Sequence, residues 1–150
     1  QNERNDVDFK LILIGDGFYF KHIQDYVYKN KFESFVSLLG AKSNVDDYYY
    51  HSDIYCQLSV NEGCSHAILE AMSHSIPVLA ANFAGNKNII INNKTGLLVE
   101  NKIESVSNAI LKLIDNPKLV KDICHQAFLN IKSRHNWKFL AEMHNNLYYK

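Results

Sequence analysis

The sequence predicts an α/β fold: a Rossmann-like, doubly wound and mostly parallel sheet flanked by helices, ending in a helical C-terminal segment. Three observations predict it. The run Phe9 to Ile14 ends at Gly15 and reads as a strand buried on both faces, as in a parallel sheet. Short apolar runs then alternate with segments of helical spacing, which implies crossover connections. From Val106 onward only helical periodicity remains.

Each element has its own signal. Phe20, Ile23 and Val27 repeat at helical spacing, and Phe35 to Leu39 reads as a second strand stopped by Gly40. Ser43 or Asn44 caps a short helix through Asp47 and Tyr50. Asp53 to Leu58 is a third strand, Ala67 to His74 a helix, and Pro77 to Ala81 a fourth strand. A short helix over Lys87 to Ile91 precedes the turn Asn92 to Gly96 and a fifth strand, Leu97 to Val99. Val106, Ala109, Ile110, Leu113 and Ile114 form one amphipathic stripe. Pro117 opens the next helix, with Val120, Ile123, Cys124, Ala127, Phe128 and Ile131 on its apolar face. Trp137, Leu140, Ala141, His144, Leu147 and Tyr148 suggest a last helix.

Bulk properties narrow the function. The 150 residues suit one domain, 1–150, and 47% hydrophobic content is enough for a core. Formal net charge is zero and Lys and Arg are scattered, which argues against a nucleic-acid partner. Three cysteines without a C-x-x-C argue against a disulfide framework or a zinc site and fit a reducing compartment. No apolar run approaches a membrane span, and no signal peptide precedes the first strand. The chain starts abruptly on polar residues and reads as a piece of a longer protein.

Open parallel sheets bind ligands beyond the C-terminal ends of their strands. The loops at Gly15, Gly40, Leu58 to Ser65 and Ala81 to Gly85 all leave strand ends, so four of five exits should share one rim. The richest is Ser59-Val60-Asn61-Glu62-Gly63-Cys64-Ser65-His66, which leads from a strand into a helix capped by Ser65. Backbone amides around Gly63 to His66 can face an anion there, and Gly63 allows close approach. Glu70 is the only Asp, Glu, Lys or Arg between Gly63 and Asn86, among neighbours that look buried. A buried carboxylate needs a partner, and ribose hydroxyls suit it. Glu62, before the amides, would meet sugar hydroxyls beyond a diphosphate. Hexose, diphosphate and ribose together describe a sugar nucleotide. The plain alternative is that Glu70 is exposed and Glu62 decorates a turn.

Other chemistries fare worse. Gly15-x-Gly17 lacks the third glycine of a dinucleotide fingerprint, since Phe20 stands there. Among seven histidines, His66 and His74 are two helical turns apart, too far to share a metal. Cys64 sits where a thiolate would be stabilised, but no paired base is evident. Tyr48-Tyr49-Tyr50 reads as core plus surface rather than as a stacking platform.

Glu62 and Glu70 form an E-x7-E motif, and with it the chain resembles retaining glycosyltransferases of the two-Rossmann-domain (GT-B) fold, most closely glycosyltransferase family 4 (glycosyl transferases group 1). Ser59-x-x-Glu62-Gly63, Leu69-Glu70-Ala71-Met72 with Pro77-Val78, Gly15-Asp16-Gly17, Thr95 to Val99 and Trp137 carry the same resemblance. It covers essentially the whole chain, but only the family's C-terminal, donor-binding domain. It implies Glu62 at the donor sugar as the catalytic contact, with Gly63, Cys64 and Ser65 at the diphosphate. Glu70 would hold the ribose, Gly15 would line the phosphate side, and the Gly40-Ala41-Lys42 turn would border the base. His66 lies near enough to touch donor.

The resemblance further implies a UDP- or GDP-sugar as substrate, no metal and no other cofactor. The acceptor would be a polysaccharide, lipopolysaccharide or glycolipid, reached through an N-terminal domain that could touch the membrane peripherally. The place of work would be the cytoplasm, including the inner membrane face. Three departures stand out, the first being that the family's acceptor-binding N-terminal domain is not in this stretch, which alone is expected to bind nucleotide weakly and transfer nothing. Ala84-Gly85-Asn86-Lys87-Asn88 replaces the family's Gly-Gly-x-x-Glu, with Asn88 at the acid, and the usual basic pair would lie upstream of residue 1. A non-catalytic nucleotide-sugar-binding module and a GT-B-type sugar-nucleotide epimerase are the alternatives.

Overall fold

The computed structural model describes residues 8–59 and 65–134. The chain divides into two compact units, Gln1–Val45 and Asp46–Lys150. Both are built from parallel strands and helices, as the α/β expectation requires.

In the first unit, β1 (Leu11–Leu13) and β2 (Val36–Leu38) pair in parallel, Leu11 opposite Val36 and Leu13 opposite Leu38. The crossover is α1 (Phe20–Lys29), which buries Val27. Asn30 ends it, and Lys31 turns the chain at φ 57°. Phe9, Phe32 and Phe35 form a ring cluster below β2, in which Phe35 lies 5.4 Å from Phe9 and 5.1 Å from Phe32 between centroids.

The expectation that the first strand is buried on both faces is corrected here. Leu11 is 44% exposed, and Ile12 and Ile14 are each 39% exposed. Leu11 and Ile12 point to opposite faces, so a sheet of two strands with one helix leaves part of each face open from within its own unit.

In the second unit the strand order is β3 (Tyr55–Gln57), β4 (Val78–Ala81), β5 (Leu97–Val99), all parallel. Every residue of β4 is buried, so both of its faces are covered. Around the sheet lie α2 (Asp46–Tyr50), α3 (His66–Ser73), α4 (Ala84–Ile89), α5 (Ile103–Ile114) and α6 (Pro117–Arg134). Helix α3 packs on β3, β4 and α6, and α5 packs on β5 and α6. The core joins Leu79, Leu97, Ala109, Leu113 and Ile123, flanked by Ile54, Val106 and Val120.

Local signals explain the boundaries. Asn116 accepts the Leu119 amide on its side-chain oxygen at 3.1 Å, capping α6 just before Pro117. The Ile91–Gly96 turn closes on itself: the Thr95 hydroxyl accepts the Ile91 amide at 2.8 Å, and Asn92 accepts that of Leu98 at 2.9 Å. Helix α4 spans Ala84–Ile89 rather than Lys87 to Ile91: the Phe83 carbonyl accepts the Lys87 amide at 3.0 Å, and Asn86 within the first turn donates to the Ala81 carbonyl at 2.9 Å. Two residues placed on apolar faces are exposed, Ile114 at 37% and Phe128 at 44%. Each lies one turn past the rim of its stripe, marked by Ile110 and Cys124. The expected Trp137 helix lies outside the described residues. No helix among the described residues is long and apolar enough to cross a membrane.

Candidate functional site

Strand β3 leads through Leu58 and Ser59 toward the start of α3. Asn101, in the loop after β5, donates to the Leu58 carbonyl at 2.8 Å and so ties the exit of β3 to the exit of β5. Gln57 donates to the Ser59 hydroxyl at 2.7 Å. Glu62, Gly63 and Cys64 lie outside the described residues.

Ser65 is the N-cap of α3, extended at φ −83° and ψ 106° and buried. Its side chain makes no capping hydrogen bond, though its carbonyl receives the Leu69 amide. The first amides of α3 have no partner within the helix, as at any helix start. His66 opens the helix and is exposed. The helix closes with the amides of Ser75 and Ile76 on the carbonyls of Met72 and Ala71, while Ser75 takes φ 59°.

Glu70 is exposed, which corrects the expectation of a buried carboxylate. Helix α3 buries Ile68, Ala71 and Met72, which share one face. Glu70 is two residues past Ile68 and points the other way. The carboxylate nevertheless has a partner: the Tyr49 hydroxyl donates to Glu70 Oε2 at 3.1 Å and lies 3.3 Å from the Ala67 carbonyl oxygen. Tyr49 itself is buried, while Tyr50 is exposed, so the Tyr48–Tyr50 run is core plus surface as read. Burial first, then the neighbouring Tyr55 and the bond to Glu70, raise the Tyr49 phenol well above its ordinary range. It therefore stays protonated and remains a donor at neutral pH.

His74 braces this contact. Its ring stacks on Tyr49 with centroids 5.1 Å apart and packs edge-on to Tyr50. Its Nδ1 lies 2.9 Å from the Glu70 carbonyl and its Nε2 3.4 Å from Asp46 of α2. Tyr49 and Asp46 thus fasten α2 to α3 around Glu70. Sequence reading missed Tyr49 in this role. The available signal was general: a phenol in a buried position seeks an acceptor. Asn101 carried no signal at all.

Gly15 and Lys42 belong to the first unit. Gly15 follows β1 at φ +136°, a conformation that glycine tolerates, and a Cβ there would meet nothing within 4 Å. Its amide donates to Gly40 at 2.9 Å, which places the Gly40-Ala41-Lys42 turn beside the β1 exit. Lys42 is exposed. Asn88, at the position of the family's acid, is exposed on α4, while Asn86 is buried and its Oδ1 has no partner among the described residues. Among the described residues no three His, Cys, Asp or Glu side chains gather as a metal site would require.

The family model for glycosyl transferases group 1 matches residues 1–129. The chain belongs to this family. It is 36% identical over 121 residues to an uncharacterized glycosyltransferase of Methanocaldococcus jannaschii, covering 79% of this chain and 34% of that protein. It is 30% identical over 114 residues to the Escherichia coli UDP-Gal:alpha-D-GlcNAc-diphosphoundecaprenol alpha-1,3-galactosyltransferase, covering 75% and 30%. A solved structure of an S. aureus TarM variant, in complex with UDP and alpha-GlcNAc-glycerol among others, superposes with a TM-score of 0.86 at 26% identity, covering 95% of this chain and 29% of that one. The chain thus spans about a third of the length of the curated relatives it matches, 34% and 32% in two cases. The architecture is that of one half of a GT-B glycosyltransferase.

Proposed function

We propose that this chain is the donor-binding domain of a retaining glycosyltransferase of family 4. The enzyme moves a hexose from a UDP- or GDP-sugar to a polysaccharide, lipopolysaccharide or glycolipid acceptor. The observation that carries this reading is the Glu70 carboxylate, pinned by Tyr49 on the open side of α3, one turn inside the helix start. An open carboxylate in that place has lone pairs to offer two ribose hydroxyls. The helix start beside it offers amides and a positive dipole end to a diphosphate. Family membership supports the same assignment, and the relatives that name a donor or a bound nucleotide name UDP.

In this reading Glu62 contacts the transferred sugar, Gly63, Cys64 and Ser65 hold the diphosphate, and His66 lies at its edge. The acceptor is held by an upstream domain, which would also make any peripheral contact with the membrane, on its cytoplasmic side. No metal or other cofactor takes part; the leaving phosphate itself helps to deprotonate the acceptor.

The test is a pair of variants in the full-length protein. Glu62→Ala should lower turnover steeply, by about a hundredfold or more, and leave nucleotide affinity near wild type. Glu70→Ala should instead weaken UDP or GDP binding about tenfold, as expected for lost hydrogen bonds to a charged group. Steady-state transfer rates and calorimetric titration with each nucleotide read the two effects. Wild-type rate and affinity in both variants would overturn the assignment.

A further inference from the structure

A carboxylate on an exposed helix face ordinarily samples several rotamers, and a ligand that needs one of them bears the cost of selecting it. Glu70 is in that position on α3, held among the described residues by one side-chain contact. The Tyr49 hydroxyl donates to Oε2 at 3.1 Å. We propose that Tyr49 is a positioning residue for donor binding: its phenol O–H fixes the Glu70 carboxylate in the orientation that meets the ribose hydroxyls. The inference rests on the assignment of Glu70 to the ribose given above.

Three features make Tyr49 suited to this work. First, its ring is immobilised. It is 8% exposed, stacks on His74 at 5.1 Å, and packs at 5.8 Å against Tyr55, whose own hydroxyl is engaged by Gln57. Second, the helix that carries it is fastened at both ends of the contact, by the Tyr49 bond and by Asp46 beside His74 Nε2. Third, the donor is permanent, because burial holds the phenol in its protonated form. The same hydroxyl also lies 3.3 Å from the Ala67 carbonyl oxygen, so its single proton is shared along the first turn of α3 and the longer contact is the weaker. A carboxylate has about four acceptor sites. One taken by Tyr49 leaves enough for both ribose hydroxyls.

The arrangement also explains why a short helix of five residues, α2, should stand against α3 at all. Its buried Tyr49 and its exposed Asp46 both reach the segment that carries Glu70.

Tyr49→Phe removes the hydroxyl and keeps the ring. In the full-length protein, calorimetric titration with UDP and with GDP, each beside its 2′-deoxy analogue, reads the consequence. Affinity for the ribonucleotide that binds should fall roughly fivefold to twentyfold. Affinity for the 2′-deoxy analogue should fall less, so discrimination between the two shrinks. In a Glu70→Ala background the same substitution should change neither affinity, because the group it positions is gone. Melting temperature controls for folding. If Tyr49→Phe proves less stable, the double variant still decides. An equal loss of affinity with and without Glu70 means a structural role and overturns the proposal.

The two readings fail differently. If Glu70→Ala weakens binding and Tyr49→Phe does not, the positioning role is wrong and the donor site stands. If Glu70→Ala binds both nucleotides as wild type does, the ribose assignment falls and the positioning role falls with it.

Discussion

Strands β1 and β4 have similar composition and opposite surroundings. Leu11, Ile12 and Leu13 form β1, and Val78, Leu79, Ala80 and Ala81 form β4. Yet β1 is largely exposed while every residue of β4 is buried. The difference is in what each unit supplies. Strand β4 has a partner on each edge and helices packed on it, whereas β1 has one partner and one crossover helix within its unit. An apolar run reports the capacity to be buried; the neighbours decide whether burial happens.

Substitutions can break or sharpen that comparison. The largest expected effect is Leu79→Ala, which empties a fully buried site and should cost about 2–5 kcal/mol in chemical denaturation. Ile12→Ala, at 39% exposure, should cost about 1 kcal/mol. Equal costs would show that the two strands are equally buried in solution. Next comes Gly96→Ala. A Cβ there would lie 3.0 Å from the Val78 carbonyl oxygen and 3.1 Å from Ile90 Cγ2, so about 1–3 kcal/mol of overpacking is expected. Its counterpart in the first unit, Gly40→Ala, meets nothing within 4 Å and carries only the strain of φ +67°, about 1 kcal/mol. If Gly40→Ala proved the costlier of the two, packing would not be what separates the units. Asn116→Ala, which removes the cap of α6, should likewise cost about 1 kcal/mol, read as a modest drop in thermal midpoint.

Much of this was legible in the sequence, where local chemistry decides. Strand β5 falls on Leu97–Val99 as read, and Pro117 opens α6. The turn before β5 is written in Asn92, Thr95 and Gly96, each of which makes a contact its type favours. Glu70 shows where reading stops. Its apolar neighbours suggested burial, yet their helical angles put Ile68, Ala71 and Met72 on one face and Glu70 on the other. Its partner could not be read either, because Tyr49 is brought to it by the packing of α2 on α3 and by no sequence spacing. For the same reason Asn101 gave no sign that it would tie the exit of β3 to that of β5. The α4 boundary lies a turn earlier than read, with the Phe83 carbonyl taking the first helical amide, and nothing in the composition of Ala84-Gly85-Asn86 marks that start.

The parallel sheet has a consequence for how this chain acquires its shape. Tyr55 pairs with Val78 and Leu79 with Leu97, so no two strands can zip together from a tight hairpin. Every ladder must wait for a long stretch of chain to close, while α5 and α6 can form from local contacts alone. The Asn101 bond to Leu58 bridges the two outer strands of a three-strand order. In the finished sheet it joins the exits of β3 and β5 across β4, a long-range contact between segments that are far apart in the chain.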